Sequence, residues 1–182
     1  MTDFKRETAK QRKSLFIAAG HSYSDPGASG HGYTEADIVL DLRDRLCKAL
    51  RARGVVIGMD GEKGENLPLR QAVEMAKEYD EAIELHCNAF TDPGATGVET
   101  LGESSTLAYA ICDTVSSTLG IANRGTKGEG SGQHSRLAFV GQADGLIVEL
   151  FFITNKDDLD RYFKYKDELV AALADTLADQ VL

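Results

Sequence analysis

Cysteine is scarce and scattered. Cys47, Cys87 and Cys112 are odd in number and form no C-x-x-C pair, which argues against a disulfide framework or a cysteine-based zinc or redox motif. They read as reduced packing residues. Long apolar runs are missing too: "LFIAA" is too short for a signal-peptide core and far too short for a membrane span, and no cleavage-type sequence follows it. The expectation is therefore a chain without a signal peptide, made in the cytoplasm, with no membrane insertion. Positive charge is in deficit, with 20 Lys and Arg against 29 Asp and Glu for a net charge of -9, so nucleic acid is an unsuitable partner. The one basic stretch, "KRETAKQRK", reads as part of a flexible tail over residues 1–13. Internal repeats, linkers and low-complexity tracts are also lacking. What remains is 182 residues with 42% hydrophobic content, enough for one well-packed domain over 1–182 with no separate domain appended to it.

The pattern along the chain alternates between strands and helices. Residues 14–19, "SLFIAA", read as a buried strand stopped by Gly20. After a glycine-rich loop, Thr34 and Asp37 resemble a capping box, and Ile38, Val39, Leu42, Leu46 and Leu50 recur at helical spacing as far as Gly54. Strands are expected at 55–59, 81–89 and 97–101, at "RLAFV" and at "LIVELFF"; helices are expected at 67–79 and 105–119. Residues 122–135 hold four glycines without periodicity and read as a functional loop. The C-terminal remainder reads as one broken helix or two, with Leu159, Phe163, Leu169, Leu173 and Leu177 as its apolar stripe. The expected fold class is α/β, a twisted, mostly parallel (mixed) sheet of about six strands with helices on both faces.

In such sheets, sites form beyond the carboxyl ends of the strands. His21 follows the first strand, His86 closes the third, and Glu149 lies in the last. Alternation puts Glu84, His86 and Asn88 on one face and Leu85 and Cys87 on the other, so Cys87 belongs to the core and does not pair with His86 on a metal. Zinc in a catalytic site takes three protein ligands, and His21, Glu35 and His86 would make such a set. Each also has a plainer reading: a satisfied histidine, or a first-turn acid complementing the helix dipole. Glu149 is a carboxylate in an otherwise apolar strand. It is either a general base tuned by a dry site or half of a buried ion pair with Arg70 or Arg136.

Taken together, "GHSYSDPGASGHGYTEADIVL", "LHCNA", "GVETL", "NRGTK" and "VELFFITNKDDL" resemble the zinc-dependent N-acetylmuramoyl-L-alanine amidases of bacterial and phage cell-wall lysis, from about residue 15 to the C-terminus. The resemblance implies one zinc ion per chain on His21, Glu35 and His86, and a catalytic glutamate at Glu149. It also implies a hydrolase that cuts the amide between N-acetylmuramic acid and L-alanine in peptidoglycan. Asn88, Arg124 and Lys127 are then candidate contacts for the muramyl peptide. An endolysin-like lysis enzyme is expected, acting on the wall after release from the host cytoplasm, with a monomer as its state. The alternatives are a zinc peptidase cutting within the stem peptide and a non-catalytic wall-binding module. This chain departs from the family pattern at Ser22 and Tyr23, where a glycine is usual after the first histidine, and at Glu84, where serine is usual. Phe151 replaces a customary glycine, and no site-plugging insertion falls between the third strand and residue 120.

Overall fold

A computed structural model describes residues 12–131 and 137–182. Much of the basic stretch, with His134 and Arg136, lies outside the described residues. The first strand, β1 (Leu15–Ala19), leads into a two-stranded hairpin of β2 (Ser29–Gly30) and β3 (Tyr33–Thr34). His31 at φ 52 and Gly32 at φ 87 form the hairpin's tip, the positive pair that a tight two-residue turn demands. Helix α1 (Glu35–Ala52) starts on a complete capping box between Thr34 and Asp37 and buries Ile38, Val39, Leu42, Leu46 and Leu50. Then come β4 (Ile57–Met59), α2 (Leu69–Ala76), β5 (Glu81–Asn88), β6 (Val98–Leu101), α3 (Thr106–Leu119) and β7 (Asn123–Lys127). The chain closes with α4 (Ala138–Ala143), β8 (Leu146–Phe152) and α5 (Lys156–Val181), which bends at Tyr165.

The six-stranded sheet has the order β4-β1-β5-β8-β6-β7. Its strands pair in parallel except where β6 meets β8. Alternation divides the core. Leu15, Ile17, Ile83, Leu85 and Cys87 join a large cluster with α1, α3 and α5, whereas Phe16, Ala18 and Ala82 pack with Val73 and Phe139 of α2 and α4. Burial of each such leucine, isoleucine or phenylalanine contributes about 1.5–3 kcal/mol. The α2/α4 face is the thinner one, and His86 and Glu84 lie on it.

Two expected elements differ. "RLAFV" is not a strand: from Ala138 it is α4, because a short apolar run fits a buried helix as well as a strand. Conversely, residues 123–127 of the expected loop form β7, an edge strand whose polar sequence carries no apolar pattern and whose hydrogen bonds come from β6. Phe163, placed on an apolar stripe, is 40% exposed and packs on Tyr33, and Leu69 of α2 is 51% exposed and lines a cleft. No helix among the described residues is long and apolar enough to cross a membrane.

Candidate metal centre and its cleft

Beyond the carboxyl ends of β1 and β5, a cleft of about 1210 Å³ is lined by His21, Glu35, Glu84, His86, Asn88, Glu99, Arg124, Lys127 and Glu149, among others. Three residues 65 positions apart at the extremes converge there. One donor atom each from His21, Glu35 and His86 lies within 4.8 Å of the other two. The loop between β1 and α1 allows this approach because it lacks bulk. A Cβ at Gly27, whose φ is +70, would stand 2.6 Å from the His21 ring and 2.7 Å from Glu35 Oε2. A Cβ at Gly20 would stand 2.0 Å from His86 Nε2.

The donors are oriented from behind. His21 Nδ1–H donates to the Asp25 carbonyl at 3.1 Å, which turns Nε2 toward Glu35 Oε2, 3.5 Å away. Glu35 is 3% exposed although it opens α1, so the helix-dipole role cannot be its main one. Its Oε1 accepts the Cys87 N–H at 2.8 Å and its Oε2 accepts the Ala28 N–H at 3.0 Å. Burial favours the neutral acid, but His86 and the Cys87 N–H outweigh it and hold the carboxyl below its ordinary range. The His86 ring lies between two carboxylates, with Nδ1 2.9 Å from Glu35 Oε1 and Nε2 3.1 Å from Glu84 Oε2. Burial works against its charge, yet these two acids raise its pKa well above that of a free imidazole. Once His86 gives up its proton, two imidazole nitrogens and a carboxylate make a donor set that fits a zinc-type cation. Cys87 points into the large core cluster.

Glu149 sits opposite His86 in the β5–β8 register. Its Oε2 is buried and has no hydrogen-bond partner among the described residues. Burial is the largest influence, and with Glu35, Glu99 and Glu84 near it, the carboxyl is pushed up to about 7 despite the pull of His86. Arg70 does not pair with it: that residue is exposed on α2, and Arg136 lies outside the described residues.

Arg124 and Lys127 stand on strand β7 rather than in a loop. Arg124 Nε and Lys127 Nζ both donate to Glu99 Oε2, at 2.5 and 2.6 Å, while Asn88 Nδ2 donates to Glu99 Oε1 at 3.2 Å. Two cations thus share one carboxylate on this part of the cleft wall. Glu99, 5% exposed, was not singled out from the sequence, although its place between Val98 and Thr100 in a buried strand was the available signal. Tyr23 is 68% exposed and lies near Gly64. Phe151 is fully buried and stacks on Tyr162 at 5.1 Å, away from the donors.

Comparison with known proteins identifies relatives of this arrangement. LytC, an N-acetylmuramoyl-L-alanine amidase of Bacillus subtilis (strain 168), is 28% identical over 178 residues, covering 90% of this chain and 34% of LytC. The uncharacterized protein YqiI of the same strain is 30% identical over 158 residues, covering 82% of this chain and 74% of YqiI. The chain spans only 34% of LytC and 37% of the autolysin PH of Staphylococcus aureus. A crystal structure from Neisseria meningitidis, assigned as an N-acetylmuramoyl-L-alanine amidase, superposes with a TM-score of 0.83 at 35% identity, covering 92% of this chain and 95% of that one. Residues 15–179 match the family model described as N-acetylmuramoyl-L-alanine amidase, and the chain belongs to that family.

Proposed function

We propose that this chain hydrolyses the amide joining the lactyl carboxyl of N-acetylmuramic acid to the L-alanine of the peptidoglycan stem peptide, with His21, Glu35 and His86 holding one zinc ion. The observation that carries this reading is the Glu149 carboxylate in register with His86, its Oε2 buried without a hydrogen-bond partner among the described residues, beside a three-donor cluster. A bound zinc ion supplies Lewis acidity toward the amide carbonyl and acidifies water nearby. Glu149, a carboxylate that burial leaves poorly solvated, would take the proton of the attacking water and deliver it to the departing amine. Glu35 is oriented by the Ala28 and Cys87 N–H groups, and the Asp25 carbonyl holds the tautomer of His21. Asn88, Arg124 and Lys127 line the same cleft, where the two cations offer a counter-charge to stem-peptide carboxylates.

Mass spectrometry of digested sacculi tests the reaction. The expected products carry a free L-alanine amino group and an intact lactyl acid, appear only with zinc, and vanish under a chelator. Cuts between amino acids of the stem would replace this reading with the peptidase. Wall binding without zinc-dependent products would replace it with a binding module.

The packing at Gly20 gives a second expectation. Gly20→Ala pushes a methyl group into the His86 ring and lowers zinc affinity by roughly 10–100-fold, the usual cost of disturbing a ligand's support. Isothermal titration on the folded variant measures it, and wild-type affinity there would show that His86 is not a ligand in this position.

A further inference from the structure

The sheet supports the end of β1 unevenly. On the β5 side, pairing runs through Ala19↔Leu85, and the Gly20 N–H still donates to the Leu85 carbonyl at 2.9 Å. On the other side, pairing with β4 ends at Ile17↔Met59. Side chains from the segment after β4 take over the backbone groups that lack a strand there. Asp60, 1% exposed, receives the Ala19 N–H on both carboxylate oxygens, at 3.3 and 3.2 Å. Asn66 Nδ2 donates to the Ala19 carbonyl at 3.2 Å and to the His21 carbonyl at 3.1 Å, bracketing Gly20.

This segment is itself anchored. Leu67 N–H donates to the Asp60 carbonyl at 2.6 Å, and Gly64 N–H to Asp44 Oδ2 at 3.1 Å. Arg43, with no exposed surface, donates to Asp60 Oδ1 at 2.8 Å, to the Glu65 carbonyl at 2.7 Å and to Asp44 Oδ1 at 3.0 and 2.8 Å. A backbone pinned at Ala19 and His21 leaves the His21 side chain little freedom beyond its own rotamers, and its Asp25 hydrogen bond takes up most of that.

We propose that Asn66, backed by the Asp60–Arg43 pair, is a positioning residue that sets His21 for metal binding; this rests on the reading of His21, Glu35 and His86 as the metal site. A primary amide carries two N–H donors on one nitrogen, which is what two carbonyls either side of a glycine require. Asn66→Asp keeps the shape and removes both donors, and Asn66→Ala removes them without adding charge.

Zinc titration and amide hydrogen exchange of the metal-free protein test the proposal together. In both variants the zinc dissociation constant rises by roughly 10–100-fold. Exchange at Ala19, Gly20 and Ser22 speeds up at least about tenfold, while exchange in α1 and α5 stays as in the wild type, as expected of a local opening. Wild-type affinity and wild-type exchange in Asn66→Ala would overturn the proposal. A His21→Ala control separates it from the reading beneath it. If that control binds zinc as the wild type does, the metal site is wrong, and the exchange result alone decides whether Asn66 holds the strand end.

Discussion

Glu149→Gln leaves the three donors in place and lowers turnover by about 10²–10⁴-fold, the usual contribution of a positioned general base. Release of free L-alanine amino groups from sacculi measures the loss, and metal analysis of the same sample should find zinc at the wild-type level. Retained zinc together with more than a tenth of wild-type turnover would remove Glu149 from the mechanism. The same substitution has an opposite effect on the fold of the metal-free protein. Burial pushes the Glu149 carboxyl up to about 7 from an ordinary value of 4.5. A raised folded-state pKa means that its stabilising contribution is complete below about 4.5 and is lost as the pH climbs through about 7. Above that, the ionised side chain costs the fold on the order of 2–3 kcal/mol, which glutamine does not incur. The metal-free variant should therefore melt higher than the wild type at pH 8 and close to it at pH 5. A base that is catalytically useful because it is poorly solvated is also a weak point in the fold.

Asp60→Ala is the substitution with the largest expected loss of stability, about 3–5 kcal/mol by denaturant unfolding, because it leaves a buried guanidinium short of a partner. Arg43 has no exposed surface, and Asp60 is 1% exposed. The ionised pair is not itself a strong source of stability. Burial raises the Asp60 carboxyl to about 6 even with Arg43 beside it, so desolvation outweighs the attraction. It follows that removing both charges should cost less than the two single losses combined. Arg43→Met with Asp60→Ala is expected to recover at least about 1 kcal/mol relative to additivity. An additive double variant would mean that the two side chains do not act as a unit.

Parts of this arrangement were legible before the structure. The alternation of β5 separates His86 from Cys87, and the structure puts Cys87 in the large core cluster and His86 in the cleft. Arg43 carries a readable signal that went unused: a lone cation beside Leu42, on the helix face bearing Val39 and Leu46, has to find a buried partner. Glu84 was readable as sharing the face of His86, and its carboxylate meets Nε2 at 3.1 Å. Asn66 gave no signal, since a polar residue in a glycine-rich connection has the same composition whether it faces solvent or brackets two carbonyls. The Arg124 and Lys127 pairing with Glu99 was likewise hidden, because β7 has no apolar face from which a strand could be inferred.

Local pattern specifies the α/β alternation, the capping box that starts α1 and the facing of β5, because periodicity and capping act over a few residues and do not depend on distant parts of the chain. Long-range packing brings His21, Glu35 and His86 to within 4.8 Å and leaves Glu149 Oε2 buried without a hydrogen-bond partner among the described residues. It alone decided that Asp60 and Asn66 hold the β1 end where β4 has stopped. These contacts join residues tens of positions apart, and their distances follow from how the sheet brings strand ends together, which no local pattern encodes.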